Sequence, residues 1–163
     1  IDKNVKRLQE LETLYFGQIE TRYASRDNIL SAVADSDLVI GAVLIPGGKA
    51  PKVVTREMVR MMRPGSVIVD VAIDQGGCCE TSRPTTHSNP TYVEEGVVHY
   101  CVTNMPGACP RTSTEALNNA TFPFIERLAK NGIQAVLSDI HFLAGLNVYQ
   151  GRITNDKVAS AWQ

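Results

Sequence analysis

The chain has 163 residues, 44% of them hydrophobic and 20% charged, with a formal net charge of −1. Such a composition can bury a core and excludes a disordered chain. Lys and Arg are scattered, so no nucleic-acid surface and no anionic-membrane patch is expected, and no apolar run reaches the roughly 18 residues that span a bilayer.

Ile1 and Asp2 read as the end of a strand, which places the start of the sequence inside a domain, after its first strand and glycine-rich turn. The opening "IDKNVKRL" also lacks the basic and apolar regions of a signal peptide. "KNVKRLQELETLYFG" predicts a helix, with Val5, Leu8, Leu11 and Leu14 at intervals of three and Gly17 as its stop. "QIETRYA" alternates like a short strand. Asp27 is placed to cap a helix over "NILSAVADS", with Ile29, Leu30 and Val33 inward. "DLVIGAVLI" is a near-continuous apolar run, as expected for a strand buried on both faces. "PGGKAPK" reads as a loop. "TREMVRMMRPG" predicts a helix with Thr55 as N-cap, a Val54–Met58 staple and Pro64-Gly65 as its end. "SVIVDVAI" and "VVHYCVT" predict two further strands. Alternation of strand and helix gives a doubly wound, Rossmann-like α/β sheet.

After Cys109 the pattern changes. "PRTSTEALNNATFPFIERLAKNG" predicts one long helix with a capping box at Thr112 and Glu115, kinked or split at Pro123 and ended by Gly132. Short helices around an extended "NVYQGRI" follow. The expected division is a partial dinucleotide-binding domain over residues 1–109 and a helical segment over 110–163.

Four cysteines (Cys78, Cys79, Cys101, Cys109) and three histidines (His87, His99, His141) show no metal-ligand spacing. Cys78 and Cys79 are adjacent, which suits neither an ordinary disulfide nor a tetrahedral zinc site. No metal is expected, and a reducing cytoplasm fits the cysteine pattern best. There is no P-loop and no nucleophile elbow.

The residues that can carry chemistry fall at successive strand ends, where α/β sheets bind ligands. Asp2 offers a carboxylate to a vicinal diol, although an Asp before a helix is often only a cap. Val43, Leu44 and Ile45 offer apolar surface, and Gly47 and Gly48 permit close approach or form only a turn. Asp74 can accept a hydrogen bond from an amine or alcohol, or shape a turn. Asn104 offers a donor and an acceptor, and Met105 a soft apolar face.

"DLVIGAVLIPGGKAPKVVTREMVRMMRPGSVIVDVAIDQGGCCETSRPTT" followed by "YCVTNMPGACPRTSTEALNNATFPFI" closely resembles bacterial L-alanine dehydrogenases. The related transhydrogenase NAD-binding subunit shares the "IPG-APK" and "PGSVIVD" pattern but has an Asn-rich loop where this chain has "IDQGGC". The resemblance implies reversible, NAD-dependent oxidative deamination of L-alanine to pyruvate and ammonia in a cytoplasmic hexamer. It implies that Asp74 is the active-site carboxylate and that Asp2, Arg7, Val43, Leu44, Ile73, Asn104 and Met105 line the cofactor. A serine that commonly contacts the pyrophosphate stands here as Ala24. The family's glycine-rich turn, its substrate-binding arginine and lysine and its catalytic histidine match nothing in this sequence, so the segment alone is expected to be inactive. The alternative is the NAD(H)-binding subunit of a proton-translocating transhydrogenase.

Overall fold

A computed structural model describes residues 1–161. The chain divides into two compact units. The first comprises Ile1–Leu44 and Ala50–Thr103, the second Ile45–Lys49 and the chain from Asn104 onward.

The first unit is built on a four-stranded sheet with strand order β1-β2-β4-β3, where β1 is Leu38–Gly41, β2 Val67–Asp70, β3 Thr91–Glu94 and β4 Val97–Tyr100. β1, β2 and β4 are mutually parallel, with Leu38 beside Val67 and Val67 beside Val98. The mostly parallel sheet with its helices confirms the expected Rossmann-like α/β class. Helices α1 (Val5–Leu14), α2 (Arg26–Asp35) and α3 (Arg56–Met61) belong to this unit. Thr55 caps α3 as expected, its hydroxyl accepting from the Met58 N–H at 3.3 Å. Val54, Met58, Val59, Met62, Ile68 and Val97 then form the core, with Val33 from α2 and with Ile29 and Leu30 packed at its margin.

Several local expectations are corrected. The "QIETRYA" stretch makes one parallel bridge, Tyr23 to Asp2, instead of a strand. Pairing stops there because the neighbouring chain turns at once into α1, where Asn4 accepts from the Arg7 N–H. Ser25, not Asp27, caps α2, accepting from the Asn28 N–H at 3.2 Å. Asp27 lies in the first turn, where a carboxylate still favours the helix dipole. Of the apolar positions of α1, only Leu8 is buried.

The run "DLVIGAVLI" is a strand for only four residues and is not buried on both faces. Val39 packs on the core, whereas Leu38 and Ile40 are 54% and 62% exposed. On β2, Ile68 and Asp70 are buried and Val67 and Val69 half-buried, so the described residues cover one face of the sheet. β3 has no counterpart in the sequence reading. It pairs with β4 through the two-residue turn Glu95-Gly96, whose φ values of +54° and +78° are those of the hairpin turn that matches strand twist.

Arg56 and Arg60 of α3 reach over this turn. Arg60 holds Glu95 at 3.0 Å, and Arg56 bonds both Glu94 and Glu95. The Arg60 and then the Arg56 guanidinium lower the Glu95 carboxyl from its usual 4.5 to about 2. A carboxyl depressed in the folded state contributes stability that is full above its unfolded value and is lost as pH falls through the folded one. The expected result is that the urea midpoint advantage of the wild type over Glu95→Gln is constant above pH 4.5 and closes as pH falls toward about 2. A gap that does not change over that window would show the turn to be indifferent to its arginines.

In the second unit, α4 spans Pro110–Asn131 as one continuous helix through Pro123, and none of its residues is buried. Its start departs from the expected capping box. Pro110 occupies the first helical position, Cys109 is the cap residue without a side-chain bond, and Thr112 lies inside the first turn. Proline's fixed φ and missing N–H suit that first position. The unit continues with α5 (Gln134–Leu137), α6 (Ile140–Leu143), a hairpin of β5 (Val148–Tyr149) with β6 (Arg152–Ile153), and α7 (Asp156–Ala161). Asp139 caps α6 and pairs with Arg127 at 2.9 Å. No helix among the described residues is long and apolar enough to cross a membrane.

Candidate functional site

The most densely bonded feature of the first unit lies at the carboxyl end of β2. Its last residue, Asp70, is fully buried. Oδ1 accepts the Ala72 N–H at 3.1 Å and the Cys78 thiol at 3.4 Å. Oδ2 accepts the Cys78 N–H at 2.8 Å, the Cys79 N–H at 3.1 Å and the Ser82 hydroxyl at 2.6 Å. The bond to Ala72 ends the strand, four residues before Asp74. "SVIVDVAI" is therefore not one strand, because residues Val71–Gln75 form a single turn of 3₁₀ helix. The bonds to Cys78 and Cys79 draw the loop back beneath the strand.

That return path requires glycine at residue 77. Its φ is +76°, and a Cβ there would stand 2.8 Å from Asp70 Oδ2 and 2.9 Å from Ser82 Cβ. The clearance is taken up by the protein's own buried carboxylate. Asp70, Cys78 and Cys79 do bring donor atoms within 4.8 Å of one another. However, both carboxylate oxygens are already occupied by the bonds just described, and Cys78 Sγ fills the space over Gly41, where a Cβ would come within 2.3 Å of it. The hydrogen bond that the Cys79 thiol donates to Cys78, and then burial, push the Cys79 thiol up, which disfavours the thiolate a nucleophile needs. His99 is likewise buried and committed, with Nε2 2.7 Å from the Thr81 hydroxyl, Nδ1 2.9 Å from the Val97 carbonyl, and its ring stacked on Tyr92.

Asp74 projects from the outer side of the loop. It is exposed, and among the described residues no hydrogen bond or ion pair engages its carboxylate. Ile73, by contrast, is only 5% exposed and packs inward over Gly77. Beyond the carboxyl end of β1, Val43 is packed on the core margin and Leu44 is 70% exposed. Asp2 is exposed, and its Oδ1 accepts the Asn4 N–H at 2.8 Å, leaving the second oxygen open among the described residues. Arg7 lies on exposed α1 and pairs with Glu10 at 3.3 Å. Asn104 and Met105 belong to the second unit. Asn104 takes a left-handed conformation, φ +55°, at the head of a short 3₁₀ turn, Met105–Ala108.

Comparison with known proteins decides the family. The profile described as "Alanine dehydrogenase/PNT, C-terminal domain" matches residues 1–156. The chain belongs to this family. It is 58% identical to an alanine dehydrogenase of Halomonas elongata and 58% identical to one of Staphylococcus saprophyticus, in each case over 99% of this chain. It spans 44% of the length of each of these relatives. A solved L-alanine dehydrogenase superposes with a TM-score of 0.84 at 51% identity, over 99% of this chain and 45% of that one. A transhydrogenase from Sinorhizobium meliloti superposes with a TM-score of 0.68 at 23% identity, over 93% of this chain and 40% of its own, which shows a shared fold.

Within this alanine dehydrogenase/PNT domain, the first unit holds Asp2, Arg7, Val43, Leu44, Ile73 and Asp74, and the second holds Asn104 and Met105. Ala24 donates its N–H to the Asp2 carbonyl at 3.0 Å, so the position of the absent serine is tied by its main chain to the segment bearing the acid. Sequence reasoning missed two residues that shape the site. Asp70 looked like one more position in an apolar strand, although an acid there, flanked by valines, was a signal that something buried needs it. Lys52, whose Nζ donates to the Gly76 and Cys79 carbonyls, looked like one charge in a loop, and nothing local marks those partners.

Proposed function

We propose that this chain is the C-terminal part of an L-alanine dehydrogenase, which oxidises L-alanine with water to pyruvate and ammonia while reducing NAD to NADH, and runs the reverse. The observation that carries the proposal is the 58% identity to alanine dehydrogenases over 99% of the chain. The 23% likeness to a transhydrogenase supports the fold alone. Asp74 strengthens the reading, because an exposed and unengaged carboxylate on a loop anchored by Asp70 is available to a ligand.

The residues fit a dinucleotide chemically. The open Asp2 oxygen suits the ribose hydroxyls of the adenosine, which form a vicinal diol. Arg7, carried on α1 just after Asp2, would lie near the adenosine. Val43 and Leu44 present apolar surface for a flat ring, with Ile73 supporting the loop from beneath, and Asn104 and Met105 enter by correspondence with the family. NAD, when bound, supplies the hydride acceptor or donor. Asp74 would accept a hydrogen bond from the substrate's amine or from a water, hold that group in line and take part in moving its proton. The remaining catalytic groups would come from a substrate domain outside this sequence.

By the same reading, residues 1–109 are the nucleotide domain and 110–163 a segment that packs on the substrate domain. The enzyme would be a cytoplasmic homo-oligomer, a hexamer, and the isolated segment inactive. The test uses the intact protein. Alanine with NAD should produce a rise at the NADH absorbance band, and pyruvate with ammonium and NADH a fall. Absence of both, in protein that is folded by circular dichroism, would rule the activity out.

A further inference from the structure

The loop that carries Asp74 is held on one side by Asp70 and on the other by the segment over residues 50–54. Main-chain bonds make part of the second contact. The Ala50 N–H donates to the Gln75 carbonyl at 2.9 Å, and the Val53 and Val54 N–H groups donate to the Cys78 carbonyl at 2.8 and 3.1 Å. Between them stands Lys52. Its Nζ donates to the Gly76 carbonyl at 2.6 Å and to the Cys79 carbonyl at 3.0 Å.

These carbonyls belong to a stretch in which Gly76 and Gly77 both have positive φ, +92° and +76°. Gly76 and Gly77 in that conformation continue neither helix nor strand, and Cys79 makes only an isolated bridge to Val54, so their carbonyls need partners from elsewhere. One ammonium serves two of them. Lys52 is exposed, yet no carboxylate pairs with it among the described residues, so its bonding is directed to the loop rather than to a surface ion pair. An ammonium–carbonyl bond is charge-assisted and stronger than a neutral one. Asp70 takes the N–H groups of the loop and Lys52 takes its carbonyls, so two opposite charges hold one peptide segment from its two polar sides.

We propose that Lys52 is a positioning residue that sets the height and direction of Asp74 by holding the Gly76 and Cys79 carbonyls. The inference rests on the proposed role of Asp74. Gly76 is two residues beyond it, so a slackened Gly76 transmits directly to the carboxylate. A displacement of about 1 Å at a reacting group costs on the order of a hundredfold in rate.

The test compares Lys52→Met and Lys52→Arg with the wild type in the intact enzyme. Met keeps the length and apolar stem but removes the donors; Arg retains donors for two carbonyls. Because Lys52 is exposed, neither change threatens the core. Amide hydrogen exchange over residues 71–82 should be about tenfold faster in Lys52→Met and near the wild-type rate in Lys52→Arg. Turnover should fall about ten- to a hundredfold in Lys52→Met, with the KM for NAD nearly unchanged, and should largely recover in Lys52→Arg. Unchanged exchange in Lys52→Met overturns the proposal whatever the activity does. Faster exchange with unchanged turnover, in an enzyme that Asp74→Asn impairs, overturns the positioning role. If exchange is faster but Asp74→Asn is itself fully active, the Asp74 reading fails, and the link from Lys52 to turnover fails with it.

Discussion

Replacing Asp74 by Asn in the intact enzyme is expected to lower alanine turnover by about 10²–10⁴-fold, the range over which a positioned acid–base group contributes. Asn is nearly the same size, so the loop should keep its shape. It cannot carry a negative charge or accept a proton at that position. Asp74 is exposed and makes no bond that the fold depends on, so the thermal midpoint should hold. NAD affinity, measured by fluorescence titration, should change little, because the proposed ribose contact is made by Asp2. The decisive pattern is a loss in turnover without a loss in stability or cofactor binding. A variant that turns over normally would reduce Asp74 to a surface turn residue.

The second large effect is structural. Asp70→Ala is expected to destabilise the fold by about 3–5 kcal/mol, since removing one partner leaves each buried donor with its own desolvation penalty. The donors that lose their acceptor are the N–H groups of Ala72, Cys78 and Cys79, the Cys78 thiol and the Ser82 hydroxyl. Small side chains cannot fill the gap, and the groups on Ala72, Cys78 and Cys79 are buried and cannot reach water without opening the loop. Equilibrium urea unfolding followed by circular dichroism measures the loss. A change under 1 kcal/mol would mean that the loop re-forms its bonds elsewhere, and that Asp70 is not what holds it. The two aspartates differ by four positions in sequence and are expected to fail in opposite ways, one in chemistry and the other in folding.

That contrast marks how far local reasoning reaches. Both residues are acids in the same stretch, and from the sequence Asp74 drew attention because it follows an apolar run and precedes two glycines. Its exposure is consistent with a role toward a ligand. Asp70 passed as part of the strand, because its five donors come from residues two to twelve positions later and assemble only when the loop folds back. The adjacent cysteines, which suit neither a disulfide nor a zinc site, are buried and bonded to the carboxylate that organises the loop, a role their spacing does not show. Strand ends were also overestimated. A continuous apolar run cannot show where a side-chain acceptor will terminate pairing, nor that one face of β1 lies open.

By itself the sequence determined the α/β class, the helices, the Gly132 stop of α4, the cap at Thr55, and the family, because propensity, periodicity and motif are properties of neighbouring residues. It also singled out Asp74 as the carboxylate to test. Only the tertiary structure decided that Asp70 is the buried tie of the loop, that β3 returns along β4 through Glu95-Gly96, and that Lys52 reaches carbonyls 24 and 27 residues further along the chain. Bonds of that span depend on how the strands bring distant segments together, and no local preference of Lys52 or of its partners encodes them.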